Sequence, residues 1–155
     1  MTPAPEVPNG PGPVSSPVRI AAYVMAVALL IVGVLGFVPG ATSGFGDLEF
    51  TGPDSGATLF GTFAVSGLLN LVHLIVGGAG LIMARFRRAA RVYLFAGGLV
   101  YLAMFAFGVA IDHTAEENVL SVNEASNWLH LGIGVLMVLL GFLPAQRIRK
   151  SEPAD

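Results

Sequence analysis

Four long runs without a charged side chain dominate this sequence, and they decide which solvent it can fold in. The first is Ile20 to Val38, stopped by Pro39-Gly40. A second uncharged stretch covers Ser55 to Ala84, with Leu59 to Ala84 as its expected helix. Val92 to Ile111 is the third, and Asn127 to Ala145, closing at Pro144, is the fourth. A hydrocarbon core about 30 Å thick needs about 20 helical residues at about 1.5 Å each, so every run can span. An Asp, Lys or Arg at mid-bilayer depth costs about 3 kcal/mol, and none of the runs contains one. The expectation is an all-α membrane protein: a four-transmembrane-helix bundle with helices over about 20–38, 59–84, 92–111 and 127–145, in a domain spanning 18–146.

Composition points the same way. Only 12% of residues are charged and 54% are apolar, with a mean hydropathy of +0.75. A water-soluble domain of this size needs about twice that charge to keep its surface wet. The absence of cysteine excludes disulfides and thiolate metal sites. No basic cluster resembles a nucleic-acid footprint, so no nucleic-acid partner is expected. Residues 1–17 carry six prolines and little that could be buried, which predicts a disordered Pro-rich tail. Residues 147–155 form a second short tail.

The basic residues set the expected orientation. Arg19 precedes the first run, Arg85, Arg87, Arg88 and Arg91 fill the turn after the second, and Arg147, Arg149 and Lys150 follow the fourth. With four spans these lie on one side. The opposite loops, 39–58 and 112–126, contain no Lys or Arg and hold Asp47, Glu49, Asp54, Asp112, Glu116, Glu117 and Glu124 instead. The positive-inside rule puts both termini and the basic side of this multi-pass chain in the cytoplasm.

Two helices share a motif. Asn70-Leu-Val-His73-Leu-Ile-Val-Gly77 and Asn127-Trp-Leu-His130-Leu-Gly-Ile-Gly134 both read Asn-x-x-His-Leu-x-x-Gly, 57 residues apart. Residues i, i+3 and i+7 share one helix face, so each Asn, His and Gly forms a polar intramembrane stripe. It extends back through Ser66 and Thr62 on the second helix and on to Gly141 on the fourth. Without water, Asn and His need partners, so the stripes should face other helices, with glycine letting backbones approach. Ala22, Ala26, Gly33 and Gly36 on the first helix, and Gly97 and Gly108 on the third, are the candidate counterparts. The echo suggests two tandem helical hairpins. Unequal outer loops and a poor match between the first and third helices leave duplication open.

An ordered set of pieces adds a resemblance: Gly36-Phe-Val-Pro-Gly40, Gly44-Phe-Gly-Asp-Leu-Glu-Phe50, the Asn70/His73 stripe, Ile111-Asp-His113 and Asn127-Trp-Leu-His130-Leu-Gly132. Over about residues 18–145 the chain resembles a family of small, mainly actinobacterial integral membrane proteins, domain of unknown function 4383. The resemblance implies a four-helix membrane domain in a bacterial plasma membrane, and it supplies no catalytic residues.

Three chemistries compete for the polar residues. As interhelical contacts, Asn and His hydrogen-bond each other and set helix register. As haem ligands, His73 and His130 must lie level. Counted from the basic anchors, His73 precedes Arg85 by about 18 Å of helix and His130 precedes Arg147 by about 25 Å, an offset that disfavours one shared iron. As an outer-face metal site, His130 would join Asp112, His113 and Glu116, with Glu117 behind, although no tight ligand spacing is present. Tyr93, Phe95, Tyr101, Phe105 and Phe107 read as lipid or bundle packing, and Trp128 and Tyr23 as interface anchors. With no nucleophile–base pair and no nucleotide loop, the preferred expectation is a non-enzymatic module without cofactor. It would contact membrane lipids and a membrane-protein partner or a second copy of itself. The alternative is a small haem- or metal-binding redox membrane protein that uses the intramembrane histidines.

Overall fold

The structure, a computed structural model, describes residues 16–144; most of the expected N-terminal tail, the whole C-terminal tail, and Arg147, Arg149 and Lys150 lie outside the described residues. Four helices, α1 (Pro17–Leu35), α2 (Gly67–Met83), α3 (Arg87–Ala110) and α4 (Glu124–Gly141), pack as a bundle. Three of them, α1, α3 and α4, are long and apolar enough to cross a membrane, while α2, at 17 residues, is apolar but shorter. Helix α1 packs chiefly on α2, and α3 chiefly on α4, so the bundle is two hairpins laid side by side.

The helix bounds differ from the sequence expectation for identifiable reasons. Pro17 at the first helical position starts α1 three residues before the apolar run, since a missing N–H costs nothing there. The same helix stops at Leu35, where Thr42 Oγ1 donates to the Leu35 carbonyl at 3.0 Å. Arg87, Arg88 and Arg91 belong to the first turns of α3, because charge is excluded from hydrocarbon and not from a helix.

The largest correction concerns α2, expected from Leu59 and observed from Gly67. The intervening residues join a small antiparallel sheet, so this end of the bundle is not all-α. Strand β1 (Thr42–Ser43) pairs with β2 (Thr58–Leu59), and β2 with β3 (Phe63–Ala64). Phe60 and Gly61 turn the chain between β2 and β3, both at positive φ, 53° and 69°. Ala57, Leu59 and Val65 bury themselves under this sheet against Val32, Leu35 and Leu48 of the first hairpin. Hydropathy alone cannot separate such a strand pair from the start of a helix, because both bury the same residues.

One end of the bundle gathers arginines at helix C-termini. Arg19, at the start of α1, donates Nε–H to the Ala84 carbonyl at the end of α2, 2.9 Å away. Arg91, on α3, donates Nη2–H to the Leu143 carbonyl beyond α4 at 3.0 Å. Each guanidinium satisfies a carbonyl that the helix leaves open and meets the negative end of its dipole.

Candidate intramembrane polar site

The polar stripes are placed by helix caps. Ser66 is the N-cap of α2, its hydroxyl accepting from Leu69 N and donating to the Leu120 carbonyl at 3.0 Å. It is therefore a cap and not the helical residue that sequence spacing implied, and Thr62 lies exposed in the turn before it. Asn123 is the N-cap of α4 and forms a reciprocal capping box with Ser126. Asn123 also donates from Nδ2 to the Thr62 carbonyl, tying the two helix starts together. From each cap, Asn is the fourth residue and His the seventh, so Asn70 and Asn127, then His73 and His130, enter the bundle at matching depths.

Ser66, Asn70, His73, Gly77, Asn127, His130 and Gly134 are all buried. The glycines serve close approach: a Cβ on Gly77 would lie 2.8 Å from Leu30 Cγ and 2.9 Å from the Ala26 carbonyl oxygen. One on Gly134 would lie 2.8 Å from Leu102 Cγ and 3.0 Å from the Gly98 carbonyl oxygen. Asn70 rests against Gly36 and Asn127 against Gly108, where an added Cβ would push the amide aside.

At the bundle centre three rings meet. His73 and His130 have ring centroids 6.1 Å apart, and Tyr101 of α3 stands 5.6 Å from the first and 5.8 Å from the second. The expected offset between the histidines is thus absent. Arginine anchors are poor rulers: α2 ends two residues before Arg85, whereas α4 ends six residues before Arg147. The level rings remove that objection to shared ligation, yet Tyr101 occupies the space beside them, so a porphyrin cannot enter without displacing it.

The expected Asn–His hydrogen bonds do not form. His73 Nδ1 pairs with the Leu69 carbonyl of its own helix at 2.8 Å. His73 Nε2, Tyr101 Oη, His130 Nδ1, Asn70 Nδ2 and Asn127 Oδ1 are buried without a hydrogen-bond partner. Nor does an outer metal cluster assemble: among the described residues no three His, Asp or Glu side chains come together as a metal site. His113 Nε2 instead donates to the Gly108 carbonyl at 2.9 Å, near the end of α3. Asp112 accepts from Thr114 N and Oγ1, which holds its carboxyl below the usual range. Asn118, fully buried, orders the rest of this loop by bonding the His113 and Val122 carbonyls.

Tyr101 is the member of the site that sequence reasoning missed. Its signal was present: Gly97, Gly98, Met104 and Gly108 lie four and three residues before it and three and seven after, all buried on one face of α3. Trp128, by contrast, is exposed and lies tilted against Phe105 with centroids 5.7 Å apart.

An apolar exterior around this polar centre defines the class: a helical bundle with candidate membrane-spanning helices. Residues 19–143 match the family model described as Domain of unknown function (DUF4383), and the chain belongs to that family. No curated protein and no solved structure matches it.

Proposed function

We propose that all four helices cross a bacterial plasma membrane with both termini cytoplasmic, and that the protein acts there as a non-enzymatic module binding lipid or a membrane partner. The inverted distribution of side chains carries this reading. Ile20, Val24, Val27 and Ile31 of α1, Leu71, Ile75 and Ile82 of α2, Leu99 and Val109 of α3, and Val135, Leu136 and Leu139 of α4 all face outward. Asn70, His73, Asn127 and His130 are buried at the centre. In water such an arrangement exposes oil and hides polarity; in lipid it is the favourable one. At about 1.5 Å per residue α2 covers about 26 Å, short of the hydrocarbon thickness by an amount that local thinning absorbs.

Lipid binding has its own support. A groove of about 190 Å³ between α2 and α3 is lined by Ile75, Val76, Ala79, Met83, Ala96 and Val100. The turn joining these helices and the first turn of α3 carry Arg85, Arg87 and Arg88. Apolar groove and basic turn together suit an anionic phospholipid.

Single cysteines test the topology in a chain that has none of its own. Thr51→Cys and Glu117→Cys should react with an impermeant maleimide on intact cells, and Phe86→Cys only after lysis. Were α2 not to span, Phe86→Cys would be labelled from outside and Glu117→Cys protected. Mass spectrometry of the purified protein should find anionic phospholipid retained over zwitterionic, less so after Arg85→Gln and Arg88→Gln.

A further inference from the structure

His73 and His130 stand out because the bundle brings them together and then leaves them unsatisfied. The Leu69 carbonyl can only accept, so the 2.8 Å contact puts a proton on His73 Nδ1. The neutral ring in that tautomer presents Nε2 as a bare lone pair, and Nε2 is buried without a partner. A ring N–H fixed on a backbone carbonyl, with the other nitrogen free, is how metal-binding imidazoles are oriented. His130 contributes a second unpartnered nitrogen, Nδ1, and Tyr101 an unpartnered hydroxyl. The three residues are 3%, 1% and 0% exposed. Three orphaned polar groups at one point of an apolar bundle are costly unless something occupies the point.

We propose that His73, Tyr101 and His130 form a site for one imidazole-preferring transition-metal ion, copper or zinc. A metal–nitrogen bond of about 2.0 Å puts the ion about 3.2 Å from the centre of an imidazole ring. Two imidazole rings 6.1 Å apart are therefore spaced to share one ion, and Tyr101 closes the third side at 5.6 and 5.8 Å. Imidazole nitrogens favour copper and zinc over magnesium or calcium. No carboxylate belongs to the cluster, so the assembly carries a single positive charge: cuprous ion with neutral tyrosine, or zinc with tyrosinate. In the zinc case the Tyr101 proton leaves to bulk water as the Zn–O bond forms; in the cuprous case no proton is released. Neither case involves electron transfer. This site depends on the ring geometry and not on the proposed topology, and the maleimide labelling can fail without changing it.

The test uses the full chain in mild detergent, loaded with zinc or with copper(I), desalted against a weak chelator, and analysed for metal per chain. One ion per chain is expected for the wild type and for His113→Gln, which changes the histidine outside the cluster. His73→Gln and His130→Gln should bind at least tenfold more weakly, since even an outer-shell partner is worth that much. Gln retains a donor and an acceptor, so their melting temperatures should stay near wild type. Tyr101→Phe removes only a hydroxyl, and it should abolish the one-proton release that accompanies zinc binding. The proposal is overturned if the wild type retains no ion, water alone then satisfying the three groups. It is equally overturned if either Gln variant retains the full complement, or if proton release survives in Tyr101→Phe.

Discussion

Hairpin α1–α2 and hairpin α3–α4 touch through equivalent residues. Gly77 lies on Ala26 and Leu30, and Gly134 lies on Gly98 and Leu102. Gly36 faces Asn70 as Gly108 faces Asn127. Arg19 caps the end of α2 as Arg91 caps the end beyond α4. A shift of 72 residues relates the first helices and one of 57 the second, the difference being the longer connection within the first hairpin. The equivalence breaks at the centre, where Leu29 of α1 stands opposite in register to Tyr101 of α3, both fully buried. The repeated points are those where backbones must approach or a helix end needs a partner, which any hairpin of this shape requires. The unrepeated point is a hydroxyl delivered beside two imidazoles, which packing does not require.

The largest expected effect tests the close approaches. Gly77→Leu and Gly134→Leu should each cost about 3 kcal/mol or more, since the new side chain meets a backbone carbonyl that cannot yield. Thermal unfolding in detergent should show similar losses for the pair, and a tolerant Gly77 beside an intolerant Gly134 would break the equivalence of the hairpins.

A middle-sized effect separates the caps. Arg19 is 3% exposed and Arg91 is half-buried. Arg19→Gln should cost about 2 kcal/mol, within the range for hydrogen bonds to charged groups, and Arg91→Gln less. The same melting experiment reads the order, and a reversed order would mean that the second hairpin, not the first, leans on its cap.

The smallest effect is expected at the centre. Tyr101→Phe keeps the buried ring and should change stability by no more than about 1 kcal/mol, because the hydroxyl it removes has no partner. A loss of several kcal/mol would show that Tyr101 holds the bundle together, and the asymmetry would then be structural.

Much of this was legible in the residues. The Asn-x-x-His-Leu-x-x-Gly echo marked six positions that are buried, because a face repeat at i, i+3 and i+7 depends only on helix geometry. The start of α2 was not legible: Thr58 to Ala64 is as apolar as a helix, and its pairing with Thr42 and Ser43 is a contact across the chain. The poor match between α1 and α3 hid the hairpin repeat, since equivalence there rests on what each residue touches rather than on its identity. Tyr101 was visible among its glycines, but an aromatic in an apolar helix reads first as packing.

What the sequence determined by itself is the solvent-facing chemistry: apolar runs long enough for a bilayer, basic residues grouped around the ends of those runs, and a family. Transfer free energies and charges add residue by residue, so they need no knowledge of neighbours. The tertiary structure alone decided that His73 and His130 are level, that Tyr101 joins them, and that Asp112, His113, Glu116 and His130 do not gather as a metal group. Those facts depend on the register of one helix against another, and register is set by which glycine admits which backbone.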